Sequence, residues 1–276
     1  MSSFFRYPGG KTKIYNIIEK ELSKYDIPET YAEPFFGGGS VGLKLLFSNS
    51  NIKSIYINDK NSALECLWTS VIKYPKELKK MILSYVPSVE SFFKIKQQLL
   101  NYTKQQNENS DTVIKYGFMQ LAIHQISYSG LGVKSGGPLG GKKQQSKYKI
   151  DCRWSPQYMC NKIDKVHNLF KQRQVEMHND DFDCFIKKVD GIKTLIYLDP
   201  PYYIKGNELY QYGFSTEDHI RLSNCLKNIK SRWVLSYDNC PEIHDLYSWA
   251  KITDINVKYT INTSRKKSEL LITNDI

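Results

Sequence analysis

Thr194-Leu-Ile-Tyr-Leu-Asp199-Pro-Pro-Tyr202 is an apolar run that stops at an acid, two prolines and an aromatic. Its first five residues predict a buried strand, and the prolines predict where that strand ends, because proline lacks the amide a central strand needs. Ligands bind at the C-terminal ends of strands in open α/β sheets, so Asp199 is expected at the mouth of a site with Tyr202 fixed beside it. These residue types suit a flat ring bearing an amino group. The Asp199 carboxylate and the Pro200 carbonyl accept hydrogen bonds from an NH2, neither proline donates, and Tyr202 offers a stacking face. An amine held this way keeps its lone pair for attack on an electrophile. Four residues alone are equally compatible with a simple strand-ending turn, so the rest of the chain has to decide.

Toward the N-terminus, Thr30-Tyr-Ala-Glu33-Pro-Phe-Phe-Gly37-Gly-Gly39-Ser40 predicts a short strand, a glycine turn and a helix start. Glycines allow close backbone approach to a ligand, and Ser40 is expected to cap the helix. About twenty residues further on, a second β-like run, Lys53-Ser-Ile-Tyr-Ile-Asn-Asp59, ends in another acid. An acid at the end of the second strand is placed to accept from both ribose hydroxyls of a nucleoside, although Asp59 can equally cap the next helix. The glycine turn lacks the dinucleotide pattern, which favours a nucleoside over NAD. Upstream, Phe4-Phe-Arg-Tyr7-Pro-Gly9-Gly10-Lys11 precedes an amphipathic helix expected to bury Ile14, Ile17, Ile18 and Leu22. Gly-Gly-Lys-Thr resembles the end of a phosphate loop, but the first glycine and the preceding strand are missing. Tyr7 and Lys11 are left as candidates for lining a pocket.

Together these residues resemble the Dam-like (D12 class) DNA adenine-N6 methyltransferases. Glu33-Pro-Phe-Phe-Gly-Gly-Gly-Ser40, Asp59 and Asp199-Pro-Pro-Tyr202, with Tyr7-Pro-Gly-Gly-Lys11, keep that family's order over most of the chain. The resemblance implies an α/β fold, a Rossmann-like S-adenosylmethionine-dependent methyltransferase core with an inserted mainly helical target-recognition domain. It implies S-adenosylmethionine held by Tyr7, Lys11, Glu33, Pro34, Phe35, Gly37, Gly38, Gly39, Ser40 and Asp59. An Asp-Phe pair after the third strand, here Asp181-Phe182, is implied to meet the cofactor adenine, with Asp180 and a plain helix cap as alternatives. The target adenine is implied to be flipped out of duplex DNA onto Asp199, Pro200 and Tyr202.

Helical periodicity replaces strand signals from residue 61 to about 150, so the core is expected over 1–60 and 151–276 with the recognition domain at 61–150. Leu64, Leu67, Trp68, Val71 and Ile72 mark one helical face; Phe92, Phe93, Ile95 and Leu99 mark a second; Phe118, Leu121, Ala122 and Gln125 a third. The following stretch, 128–149, combines glycines with Tyr128, Lys134, Lys142, Lys143, Lys147 and Lys149. It reads as a loop or hairpin that closes on phosphates, or else as a solvated charged loop. Further strands are expected at 174–178, 232–236, 251–259 and 269–273, with a helix capped by Ser215. Arg265, Lys266 and Lys267 are candidate phosphate contacts or an exposed basic turn.

A net charge of +11 favours a polyanionic partner, here double-stranded DNA. The six cysteines form no C-x-x-C pair and the five histidines no metal-ligand pair, so neither a zinc site nor a disulfide framework is expected. No apolar stretch approaches a membrane span. The expectation is therefore a monomeric cytoplasmic enzyme without metal or membrane attachment. An RNA or protein-amide N-methyltransferase and a catalytically silent DNA-binding protein are the rival readings. Asp199, where the former usually carry Asn, and the intact cofactor glycines weigh against both.

Overall fold

The computed structural model describes residues 3–11, 14–23, 28–204, 206, 211–257 and 267–274. Its centre is a seven-stranded sheet in the order β3-β2-β1-β4-β5-β7-β6. The strands are β1 (Thr30–Glu33), β2 (Ser54–Asn58), β3 (Gln174–His178), β4 (Thr194–Leu198), β5 (Arg232–Asp238), β6 (Lys251–Val257) and β7 (Lys267–Thr273). Pairing is parallel from β3 through β5, and β7 enters antiparallel between β5 and β6. Each expected strand is present. Tyr259, Arg265 and Lys266, and the side chain of Lys267, lie outside the described residues.

The run Thr194–Leu198 is buried at every position because it is covered on both faces. Leu195 and Tyr197 point into the larger apolar cluster, while Ile196 and Leu198 point into the opposite one. That alternation follows from the two-residue period of a strand. Strand order reverses between β1 and β4, which pair with Thr30 opposite Thr194 and Ala32 opposite Ile196. The crevice at such a reversal lies beyond the strands' C-terminal ends. Glu33 and Asp199 stand at those two ends.

The helices α1 (Tyr15–Leu22), α2 (Ser40–Ser48), α3 (Ser62–Lys73), α4 (Pro75–Ser84), α5 (Val89–Leu100), α6 (Ser110–Ile126), α7 (Pro156–Lys171) and α8 (Phe182–Val189) come in chain order. Helices Thr216–Lys227 and Pro241–Leu246 follow β4 and β5. Ser215 does cap the former, in a reciprocal box with Asp218. The expected faces of α3 and α6 are buried, Ile72 only partly, but Ile17 of α1 and Phe93 of α5 are exposed, and the side chain of Leu22 lies outside the described residues. Each adjoins an apolar neighbour that does face the core, Ile18 and Phe92, and a helix turns 100° per residue away from it.

Residues 62–126 are helical throughout the segment expected to be inserted, apart from short connections. Their apolar cluster is continuous with one face of the sheet. Trp68 of α3 makes the join, packing against Phe4, Phe36 and Phe170. Helix α6 approaches α3 so closely that a Cβ on Gly117 would lie 2.7 Å from the Cys66 carbonyl oxygen.

Candidate active site

The glycine turn is pinned between the N-terminal stretch and β2. A Cβ at Gly37 would fall 2.7 Å from the Tyr7 ring, and one at Gly38 2.8 Å from the Tyr7 Cβ. Gly37 and Gly39 also hold positive φ, at 50° and 64°. Ser40 does not cap α2 through its side chain. The cap position is Gly39, and the Ser40 hydroxyl instead accepts from the Lys11 amide at 3.2 Å, joining the two motifs. Trp68 donates to the Gly37 carbonyl at 2.9 Å, so the helical segment also supports the turn.

Asp59 braces the same turn from the end of β2. Its carboxylate accepts from the amides of Gly37 and Asn61, each at 2.9 Å. Asn61, not Asp59, caps α3. Burial pushes the Asp59 carboxyl up to about 6 despite those two amides. Asn58, which the sequence did not single out, ties the strand ends together by donating to the carbonyls of Pro34 and Asp180.

Asp181 caps α8 by accepting from the Asp183 amide, and its carboxylate also pairs with Arg221 at 2.7 Å. The Arg221 guanidinium lies 4.8 Å from the Phe182 ring centroid, a contact that local sequence did not signal. Asp180 is turned toward His178, 3.5 Å away.

These pieces enclose a cavity of about 670 Å³. Tyr7, Glu33, Pro34, Phe35, Gly37, Gly38, Ser40, Asp59, Asp181 and Phe182 all line it, and Asp199 with Pro201 reaches it from the far end. Lys11, Gly39, Pro200 and Tyr202 are not in its wall. The lining carries the carboxyl groups of Glu33, Asp59, Asp180, Asp181, Asp199 and Asp218 against the cations Arg6 and Lys60. In a chain of net charge +11 this wall is rich in acids, of which Asp181 and Asp218 are paired with Arg221 and Asp199 with Lys11. Glu33 is fully enclosed, accepts from the Tyr31 hydroxyl at 2.8 Å, and is pushed well up by burial.

At the far end the expected role of Lys11 changes. Its ammonium is buried, 3.1 Å from Asp199 Oδ1 and 3.7 Å from Glu269 Oε2, and it donates to the Tyr202 hydroxyl. Its side chain reaches the Asp-Pro-Pro-Tyr loop, while its amide is bonded to Ser40 beside the glycine turn. Tyr202 donates to Glu269 Oε2 at 2.9 Å, and the Lys11 ammonium lies 4.3 Å from the Tyr202 ring centroid. Ser236 on β5 donates to Asp199 Oδ1 at 3.1 Å. Burial raises the Asp199 carboxyl while Lys11 opposes the rise. Asp238 at the end of β5 accepts from the amides of Tyr203 and Ile204, fixing the exit of the loop. Glu269, Ser236 and Asp238 were all missed from sequence.

Stretch 128–149 is a hairpin-like loop with two short 3-10 turns, Tyr128–Gly130 and Gly132–Lys134. The Tyr128 amide donates to the Gly137 carbonyl, and the Leu139 amide to that of Ile126. Tyr128, Lys134, Lys142, Lys143, Lys147 and Lys149 are all exposed. Lys142 approaches the Phe93 ring, and Lys149 donates to the Gln144 carbonyl. The root of the loop touches the cavity. Arg6 donates to the carbonyls of Gln125 and Ser127, and Arg6 and Ser129 both line the cavity wall.

Among the described residues no group of three or more His, Cys, Asp or Glu is arranged to hold a metal, all six cysteines are unpaired, and no helix is long and apolar enough to cross a membrane. The family model for D12 class N6 adenine-specific DNA methyltransferases matches residues 7–261. The chain is similar to the type II methyltransferase M1.LlaDCHI of Lactococcus lactis subsp. cremoris, with 25% identity covering 98% of this chain and 94% of that protein. It is likewise similar to the type II methyltransferase M.MjaIII of Methanocaldococcus jannaschii, with 27% identity covering 98% of each. The rRNA methyltransferase aviRa of Streptomyces viridochromogenes aligns with a TM-score of 0.38 at 11% identity, over 93% of this chain and 82% of that one, a likeness too slight to bear on function.

Proposed function

Because the chain belongs to the D12 class N6 adenine-specific DNA methyltransferase family, we propose that it methylates N6 of a flipped-out adenine in a specific duplex sequence, using S-adenosylmethionine and acting as a monomer. The observation that carries this reading is the acid-lined cavity with Gly37 and Asp59 at one end and Asp199 at the other. Asp59 is positioned to accept from ribose hydroxyls and Phe182 to lie against the cofactor adenine.

On the substrate side, Asp199 and the Pro200 carbonyl accept from the amine, and Tyr202 stacks on the base. The bound cofactor would supply the methyl group to the N6 lone pair, and the proton that N6 then loses would pass to the Asp199 carboxylate, which already accepts from it. Preorganised acceptors favour the positive charge that develops on nitrogen, so alignment and electrostatics are the main contributions of the protein. The helices of 61–150 and the lysines of 128–149 serve as the recognition domain. The two similar proteins are named type II methyltransferases, which supports action at a short site within a restriction–modification pair.

The test is incubation of the purified chain with methyl-labelled S-adenosylmethionine and unmethylated plasmid. Label should appear as N6-methyladenine at one recurrent sequence. Label in cytosine, in RNA alone, or nowhere would overturn the reading.

A further inference from the structure

Lys11 stands where the proposed target amine has to go. Its ammonium holds Asp199 Oδ1 at 3.1 Å and donates to the Tyr202 hydroxyl, 4.3 Å from that ring's centroid, so it engages the acceptor assigned to the adenine at the edge of the ring assigned to stack on it. Oδ1 already accepts from both Lys11 and Ser236, so an amine that bonds to that oxygen has to displace one of them. A buried ammonium cannot simply be released, since stripping a buried charge of its partner is strongly unfavourable. It needs a second anion within reach.

Glu269 is that anion. It is buried on β7, 3.7 Å from the Lys11 ammonium, and the Tyr202 hydroxyl already bridges the two by accepting from Lys11 and donating to Glu269. A shift of about an ångström would convert the loose Lys11–Glu269 approach into a direct charge-assisted bond. Ser236 meanwhile still donates to Asp199 Oδ1 and keeps the carboxylate oriented. We propose that Glu269 is a positioning residue for methyl transfer: it takes over the Lys11 ammonium when the target adenine displaces Lys11 from Asp199. Lys11 is thereby a placeholder for the amine in the base-free enzyme, and its ammonium always has a carboxylate partner. The inference rests on the reading of Asp199 as the acceptor of the target amine.

A double-mutant cycle of single-turnover methylation tests it, with wild type, Glu269→Gln, Lys11→Met and the double variant. Glu269→Gln keeps an acceptor for Tyr202 but removes the charge that receives Lys11. It should slow transfer by about tenfold or more when Lys11 is present and by less than about twofold when Lys11 is methionine. Cofactor and duplex affinities of Glu269→Gln should stay within about twofold of wild type, which a generally disturbed fold would not allow. Equal slowing in both backgrounds, or a loss of cofactor affinity as large as the loss of rate, would overturn the proposal. So would a Lys11→Met enzyme with no transfer, because Lys11 would then be required on Asp199. If Glu269→Gln does not fold, Glu269→Asp, which keeps the charge but withdraws it by one methylene, carries the same cycle with a smaller expected slowing. Wild type that methylates no adenine overturns this proposal and the functional reading together. Transfer by wild type with an additive cycle overturns this proposal alone.

Discussion

Two glycine-rich stretches of this protein look alike in composition and do opposite things. In the turn at 37–39 an added Cβ at any glycine would come within 2.8 Å of a neighbouring side chain, and two of the three residues hold positive φ. In the loop at 136–141, Cβ atoms at Gly136, Gly137 and Gly141 would meet nothing within 4 Å among the described residues, and only Gly140, 2.5 Å from the Tyr148 carbonyl oxygen, is closely approached. The first set allows close approach; the second leaves a lysine-bearing loop open to solvent. Around the first, acceptors are buried and prearranged, and around the second, cations are exposed. Chemistry is therefore expected to fail in one region without binding, and binding in the other without chemistry.

The largest effect should come from the prearranged region. Asp199→Ala removes the acceptor that faces the developing positive charge, so single-turnover methyl transfer should fall by about 10²–10³-fold. Duplex affinity, measured by fluorescence anisotropy, should be retained. Near-normal transfer would dissociate the Asp-Pro-Pro-Tyr loop from catalysis.

The open region should behave in reverse. Replacing Lys134, Lys142, Lys143, Lys147 and Lys149 by glutamine should weaken duplex binding by about tenfold or more and flatten the dependence of log K on log salt by about 0.9 for each phosphate no longer neutralised. Transfer at saturating DNA and cofactor affinity should survive. An unchanged salt slope would mean that the phosphates are held elsewhere, and the contrast between the two stretches would lose its functional content.

What was legible in the sequence follows the same division. Strands β1, β2 and β4 announced themselves because apolar runs end at Glu33-Pro34, Asn58-Asp59 and Asp199-Pro200, and a glycine turn or proline leaves a local signature. Ser236 and Glu269 did not, and Lys11 was legible as a pocket candidate but not as a partner of Asp199. Lys11 and Ser236 meet Asp199 across 188 and 37 residues of chain, and Glu269, which meets Lys11 and Tyr202, sits in an ordinary-looking strand whose antiparallel insertion beside β5 brings it to the site. Nothing in strand periodicity marks which alternate residue reaches a neighbour's catalytic loop. Ser40 shows the converse, a local pattern whose capping value misleads, whereas the cap read at Asp181 is present. Asp181 caps a helix and also lines the cavity, while Ser40 begins a helix and bonds to Lys11 instead.

Asp59 gives a smaller, pH-dependent test of the prearranged side. Its carboxyl, pushed up to about 6, must be ionised to accept from ribose hydroxyls. Above pH 6 it is ionised without the cofactor; below, binding has to expel a proton. The dissociation constant for S-adenosylmethionine should therefore rise toward about tenfold per pH unit as pH falls below about 6, with that slope absent in Asp59→Asn. Calorimetry in buffers of different ionisation enthalpy would count the proton. A flat profile in wild type across about one pH unit on either side of that carboxyl's midpoint would remove Asp59 from the cofactor's partners.

The smallest expected effect sharpens the comparison most, because it changes the same atom in both stretches. Gly37→Ala forces a Cβ to 2.7 Å from the Tyr7 ring at a backbone φ of 50°. The left-handed conformation alone costs about 1–2 kcal/mol, and displacement of Tyr7 adds to that, so the denaturant midpoint and cofactor affinity should both fall. Gly136→Ala adds the same methyl group where φ is not left-handed and no described heavy atom lies within 4 Å. Its folded state gains no clash, and its unfolded chain loses freedom, so stability should be unchanged or higher by up to about 1 kcal/mol. Chemical denaturation of the two variants side by side reads the difference without any assay of activity. If Gly136→Ala were as destabilising as Gly37→Ala, the loop would be as tightly determined as the turn. Its glycines would then be there for close packing, and the openness on which its proposed engagement of DNA depends would have to be given up.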